Sequence, residues 1–427
     1  NAEIGWKSMI YLTATGRNDW DSRLAFSDYK SFFYPSIGLS AILTSMFNAP
    51  DWLTYLKVRG SYTEVGNSYG RFMTTVTYPY DEQTQNWTNT SSYPNTKLKP
   101  ERTKSWEVGL DARILNDISL NLTYYRSNTY NQTFYADLSL SSGYSNIPIQ
   151  SGNIMNEGLE MSLGYNKQWK DFSFNTNYTL TWNKNRVKRL ADGVYNYATG
   201  QPIQMPELSP LTYGHTDARL ILRVGGSMGD VYGQRLLKRD LNGYILNEEG
   251  VGLAMENKET YLGSILPKMN MGWSLGFGYK GVNLGMTFTG RFGGIVISET
   301  QSVLDAAGVS KVSADVRDAG GVQINQSKVS AQTYYQTIQG TAAYYTYSAT
   351  NIRLGELSLS YTLPKKWFDN KVGMTVGLVG KNLWMIYCKA PFDPELTTSA
   401  ASNFYQGFDA YMLPSTRNFG FNVKFQF

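Results

Sequence analysis

Alternation with a period of two, carried into and out of short turns, constrains this chain more than any other feature. Trp106, Val108, Leu110, Ala112 and Ile114 take every second position up to the turn Leu115-Asn116-Asp117, and Ile118, Leu120, Leu122 and Tyr124 resume the pattern beyond it. Leu159, Met161, Leu163 and Tyr165 lead through 167–171 to Phe172, Phe174, Thr176, Tyr178, Leu180 and Trp182. Trp273, Leu275, Phe277 and Tyr279 turn at Lys280-Gly281 into Val282, Leu284, Met286 and Phe288. Leu357, Leu359, Tyr361 and Leu363 turn through 364–371 into Val372, Met374, Val376 and Leu378. Successive side chains on a strand point to opposite faces, so each stretch is a hairpin with one apolar and one polar face. Phe419 to Phe427 has the same form and ends on an aromatic residue, where chain ends usually fray into water.

The connections sharpen this. Turns inside the hairpins are short, whereas those between them are long, near 78–103, 127–157, 183–217, 292–354 and 382–419. Outer-membrane barrels show that asymmetry, with short periplasmic turns and long extracellular loops. About ten residues of alternation suit a tilted spanning strand, against about five or six in soluble sheets. Tyr and Trp gather near strand ends, at Trp106, Tyr124, Tyr165, Trp169, Trp182, Trp273, Tyr279 and Trp367. Interfacial girdles would place them there, and the general fitness of aromatics for β structure is the alternative. The other face carries Glu107, Gly109, Asp111 and Arg113, then Ser173, Asn175, Asn177 and Thr179, as a wet lumen or a plug contact requires. Earlier strands are predicted at Trp6–Thr15, Phe32–Thr44 and Leu56–Val65, with a polar turn over Thr15–Trp20. The fold expected is all-β, a transmembrane antiparallel barrel segment of about 14 strands.

Composition narrows the function. Charged residues are 17% against about a quarter in ordinary globular chains, and aromatics are 14%. No run approaches the roughly 18 apolar residues of a membrane helix, so any crossing is by strands. Cys388 has no disulfide partner in the chain, and His215 is the sole histidine, which leaves no His/Cys zinc set and no credible nucleophile-base order. Glu248 and Glu249 fall in a polar turn, so no enzyme is expected. The net charge of +5 is small, and the 184–189 basic run reads as a solvated turn rather than a nucleic-acid surface.

The residues then resemble a known family, the SusC/RagA-type TonB-dependent transporters of Bacteroidetes. Gly16-Arg17-Asn18-Asp19-Trp20, the stretch from Phe33 to Ser40, Leu98-Lys99-Pro100-Glu101-Arg102-Thr103 and Asn156-Glu157-Gly158-Leu159-Glu160 carry the likeness. So do Leu354 to Pro364, Gly380-Lys381-Asn382-Leu383, Phe392-Asp393-Pro394-Glu395 and Pro414-Ser415-Thr416-Arg417. The resemblance implies a barrel of about 22 strands around a plug. It implies import of large nutrients, oligosaccharides ahead of oligopeptides, driven through TonB and shared with a SusD-like lid lipoprotein. Against that pattern the chain shows no plug and no TonB box, so a preceding plug and barrel segment is an expected partner. A passive porin or structural barrel is the alternative, and a soluble glycan-binding β protein a further one.

Candidate site residues lie in the long connections. Trp87, Tyr93, Tyr130, Phe134, Tyr135, Tyr144, Tyr344, Tyr345, Phe404 and Tyr405 could stack on a sugar or peptide, pack loop on loop, or touch the lid protein. Tyr334, Tyr335, Tyr347 and Phe408 belong to the same groups. Asp240 and Asn242 sit where the resemblance would put a calcium turn, but Tyr244 replaces the next carboxylate, which favours a plain turn. By the same resemblance Phe427 is the terminal aromatic read by barrel-assembly machinery.

Overall fold

The computed structural model describes residues 1–88, 90–150, 152–190, 207–248, 252–369, 371–396, 398–399 and 403–427. Glu249 and much of the 183–217 connection lie outside the described residues. The chain divides into two compact units: 1–167 with 177–210 and 222–227, and 168–176 with 211–221 and 228–427.

A thirteen-stranded antiparallel sheet takes its strands in chain order. They are β1 (Ala2–Trp6), β2 (Ile10–Trp20), β3 (Ser31–Ile42), β4 (Leu53–Asn67), β5 (Glu101–Ile114), β6 (Ile118–Tyr130) and β7 (Asn153–Trp169), then β8 (Phe172–Arg189), β9 (Met269–Tyr279), β10 (Val282–Phe292), β11 (Asn351–Leu363), β12 (Gly373–Cys388) and β13 (Asn418–Gln426). The predicted hairpins form in the expected register, with Ile114 opposite Ile118, Tyr279 opposite Val282 and Leu363 opposite Met374.

Register converts the alternation into stripes. In the first unit Ile10, Ala41, Val58, Leu110, Leu122 and Met161 stand side by side across six strands. One residue along, Ser40, Arg59, Gly109, Thr123 and Glu160 make a polar row on the opposite face. Gly109 makes that row possible: a Cβ there would collide with Arg59 Nε, and without one the guanidinium crosses β5 to donate from Nη2 to Thr123 Oγ1 at 2.6 Å. In the second unit Phe277, Leu284, Leu359, Leu378 and Phe421 form the corresponding apolar row. These rows are open to the surroundings, with Leu378 at 64% and Phe421 at 81% exposure. Contiguous apolar surface on this scale needs a non-aqueous neighbour, and closed strands facing lipid supply it.

The thirteen strands of this sheet agree with the expected barrel segment of about 14, while two boundaries near its start change. Trp6–Thr15 is not one strand: the chain reverses at Lys7 and Ser8, both at positive φ, and splits it into β1 and β2. Thr15–Trp20 is not a turn but the second half of β2, paired from Thr15–Ser36 to Trp20–Ser31. The polar residues misled because strands continue past the apolar zone, where both faces can be wet. For the same reason β6 reaches Tyr130, β8 Arg189 and β12 Cys388.

The long connections also fold. Arg219–Arg223, Asp230–Leu237 and Met255–Ser264 pair antiparallel in succession. The connection after β10 holds three helices, Glu299–Ala306, Lys311–Asp318 and Ala331–Ile338. Each starts on a serine whose hydroxyl accepts the backbone N–H three residues on: Ser298 from Gln301, Ser310 from Ser313 and Ser330 from Thr333. Among the described residues one core forms around Tyr213, Leu220, Val231, Ile265, Ile297 and Phe408, a second around Leu237, Leu253, Ile324, Tyr335, Ile338 and Tyr345, and a smaller one around Val296, Ala349 and Ala390. In the first unit Leu24, Phe32, Tyr69 and Leu98 make a smaller core at the ends of β2 to β5.

Candidate functional site

In the first unit the structure gathers candidate aromatics on the connections after β4 and β6. Trp87 belongs to a two-residue ladder opposite Tyr80, their ring centroids 5.1 Å apart, and is 71% exposed. Tyr93 meets Tyr144 edge to face at 5.1 Å, and its backbone N–H donates to Asn146 O at 2.7 Å. Asn95 ties the two connections together, donating from Nδ2 to Pro148 O at 3.0 Å. Phe134 and Tyr135 are neighbours on the strand Thr133–Asp137, which pairs with Asn146–Gln150. Alternation separates them: Phe134 is 7% exposed and packs inward, while Tyr135 is 48% exposed. Tyr130 ends β6, opposite Arg102. Of the candidates in this unit, Trp87, with Tyr80 beside it, and Tyr135 keep exposed rings, whereas Tyr93 and Tyr144 pack on each other.

The second unit uses its candidates differently. Tyr345 is 3% exposed, and burial pushes its phenol far above the ordinary tyrosine range. Tyr344 lies at the edge of the same core, its hydroxyl accepting from Leu237 N at 3.1 Å. Phe404 and Tyr405 pack against the core around Tyr213, whose hydroxyl donates to Phe404 O at 2.7 Å. Tyr347 meets Phe392 edge to face, and burial raises its phenol to about 12. These rings hold the connections together.

Two features escaped sequence reasoning. Asp217 accepts backbone N–H groups from Gln234, Arg235 and Ala342, at 3.1, 2.7 and 2.6 Å, and so joins three segments of the fold. Arg353, at a bulge in β11, makes two hydrogen bonds to Asp393 at 2.8 and 3.0 Å and lies 3.2 Å from Glu395. Their side chains are 11% and 8% exposed for Arg353 and Asp393. Burial opposes the Asp393 carboxylate, yet its bonds to Arg353 and to the Glu395 N–H hold its pKa below the ordinary value. The signal was present in Phe392-Asp393-Pro394-Glu395, but nothing in a single sequence points that segment at β11.

Asp240 closes a turn, its Oδ1 accepting from the N–H groups of Asn242 at 2.9 Å and Tyr244 at 2.8 Å. Among the described residues no group of three or more His, Cys, Asp or Glu is placed to hold a metal ion. Phe427 follows the end of β13 and is 97% exposed.

Long strands in sequential antiparallel order, with open apolar rows on one face and a charged, glycine-bearing face behind them, define an outer-membrane β-barrel protein. Residues 1–383 match the family described as TonB dependent receptor-like, beta-barrel, and the chain belongs to that family. TonB-dependent receptor P3 of Formosa agariphila is 25% identical over 98% of this chain and 44% of its own length. TonB-dependent receptor P26 of the same organism is likewise 25% identical, over 98% of the chain and 45% of its own length. The chain thus spans less than half the length of these relatives. Among solved structures, the RagAB peptide importer in its open-open state superposes with a TM-score of 0.72 at 21% identity, over 99% of this chain and 45% of that one. Its closed-closed state gives 0.73 at 20% identity, over 99% and 46%. The family is one of receptors rather than enzymes, and membership places the chain in the bacterial outer membrane; the solved structures share its fold.

Proposed function

We propose that this chain is the barrel part of an energy-coupled importer that takes up large nutrients together with a SusD-like surface lipoprotein. The family match over residues 1–383 carries the reading. In it the barrel is completed by further strands and a plug, and energy arrives through TonB. Oligosaccharides are the favoured substrate class, because Trp87, Tyr80 and Tyr135 offer open ring faces beside a connection rich in Asn, Ser and Thr. In the same unit Tyr93 and Tyr144 pack on each other and Phe134 packs inward, while in the second unit Tyr344, Tyr345, Phe404 and Tyr405 serve the packing of their own connections. Oligopeptides are the second reading, favoured by the likeness to the RagAB peptide importer.

The test is uptake of labelled oligosaccharides and oligopeptides by cells carrying the full-length protein, with and without TonB. Accumulation of either class that stops when TonB is removed supports the importer, and the class taken up decides between the readings. Uptake that continues without TonB would establish a passive pore instead. Replacing Trp87 and Tyr135 with Ala should weaken substrate binding by about 10-fold or more, since stacking contributes on the order of 1 kcal/mol per ring. Unchanged affinity in calorimetric titration of that double variant would remove these rings from the site.

A further inference from the structure

The apolar face of the second unit carries a groove that import does not require. It has a volume of about 470 Å³, within the range of small-molecule sites, and Val282, Leu359, Tyr361, Val376, Leu378 and Val423 line it. Register places these side chains in two neighbouring rows of one face: Val282, Tyr361, Val376 and Val423 in one, Leu359 and Leu378 in the next. The groove therefore opens toward lipid.

One end of it is basic. Val282 opens β10 directly after the turn Lys280-Gly281, opposite Tyr279. Lys280 Nζ lies over the Tyr279 ring, 5.4 Å from its centroid, so the ammonium stands on the same face as the groove and at its mouth. Gly281 O accepts from Thr362 N at 2.8 Å, which brings the end of β11 alongside, followed at once by Lys365, Lys366 and Trp367. Lys371 closes the same turn, and Trp367 is 61% exposed. The acids nearby are Asp369 and Asp171, the latter 3.8 Å from Lys280 with both side chains more than half exposed. Lys280, Lys365, Lys366 and Lys371 thus outnumber the acids, and a loose exposed pair holds its cation weakly.

We propose that this groove binds one anionic phospholipid, with an acyl chain along Leu359, Leu378 and Val423 and the headgroup phosphate on Lys280 and Lys366. Lysine stems can lie on apolar surface while their ammonium groups reach headgroup level, and an exposed tryptophan suits that depth. The excess of lysines selects an anionic over a zwitterionic headgroup. The inference rests on the membrane-facing surface alone and not on what the barrel imports.

Native mass spectrometry of the full-length protein in detergent, titrated with phosphatidylglycerol or with phosphatidylcholine of the same chains, tests it without any uptake assay. One phosphatidylglycerol should be retained in preference to phosphatidylcholine. Lys280→Gln with Lys366→Gln and Lys371→Gln should erode that preference on the order of fivefold per lysine that reaches the phosphate, and the matching Arg variants should restore it. Val423→Trp, which fills the groove, should lower retention of both lipids. Equal retention of the two lipids, a preference that survives the Gln variants, or indifference to Val423→Trp would each overturn the site.

Discussion

The Arg353–Asp393 contact shows how one pair of side chains can decide the placement of a whole connection. Neither group could be buried alone, and removing one partner leaves the other charge desolvated. Asp393→Asn should therefore loosen the 389–396 segment by about 2–3 kcal/mol, moderated by Glu395 at 3.2 Å from Arg353. Hydrogen exchange confined to that segment is the measurement. The pH dependence follows from the depressed folded pKa of Asp393. Its stabilisation is complete above the unfolded carboxylate value of about 3.9 and is lost as pH falls through the lower folded value. The segment should hold at pH 5 and open progressively as pH falls below the unfolded value of about 3.9 and on through the lower folded one, once exchange rates are corrected for intrinsic pH dependence. At this scale the sequence was least legible. It identified the aromatic residues of the connections but could not distinguish Tyr135, which looks outward, from Phe134, which looks inward, until a strand was known to run through both.

Strands were far more legible, because their alternation is imposed by two different environments. Leu122 and Asn121 illustrate it: Leu122 stands in an apolar row, and Asn121, directly before it, contacts the Asp111 carboxylate on the other face. Leu122→Arg should cost about 2–4 kcal/mol if the site lies near the bilayer midplane, whereas Asn121→Arg should cost far less. Urea titration of the refolded protein in lipid separates the two, and equal costs would contradict the facing assigned here. Where both faces are wet the alternation fades, which is why β2 was cut short at Thr15. The helices at 299–338 were missed for another reason. Each has eight residues, and their serine caps are short signals inside a stretch read as loop.

For the whole molecule, the same division between a repetitive wall and individually packed connections bears on how the importer reading can be tested. Uptake should depend on TonB, while selection among substrates should respond to the connections. The core that holds Tyr335, Ile338 and Tyr345 draws its residues from segments between 237 and 345, apart from the strands of the large sheet. Its helices are capped by their own serines. A connection that supplies its own core can exchange residues, lengthen or shorten without altering the register of the strands that carry it. On the proposed import function, substrate selection can therefore change through the connections while the strands that carry them stay as they are.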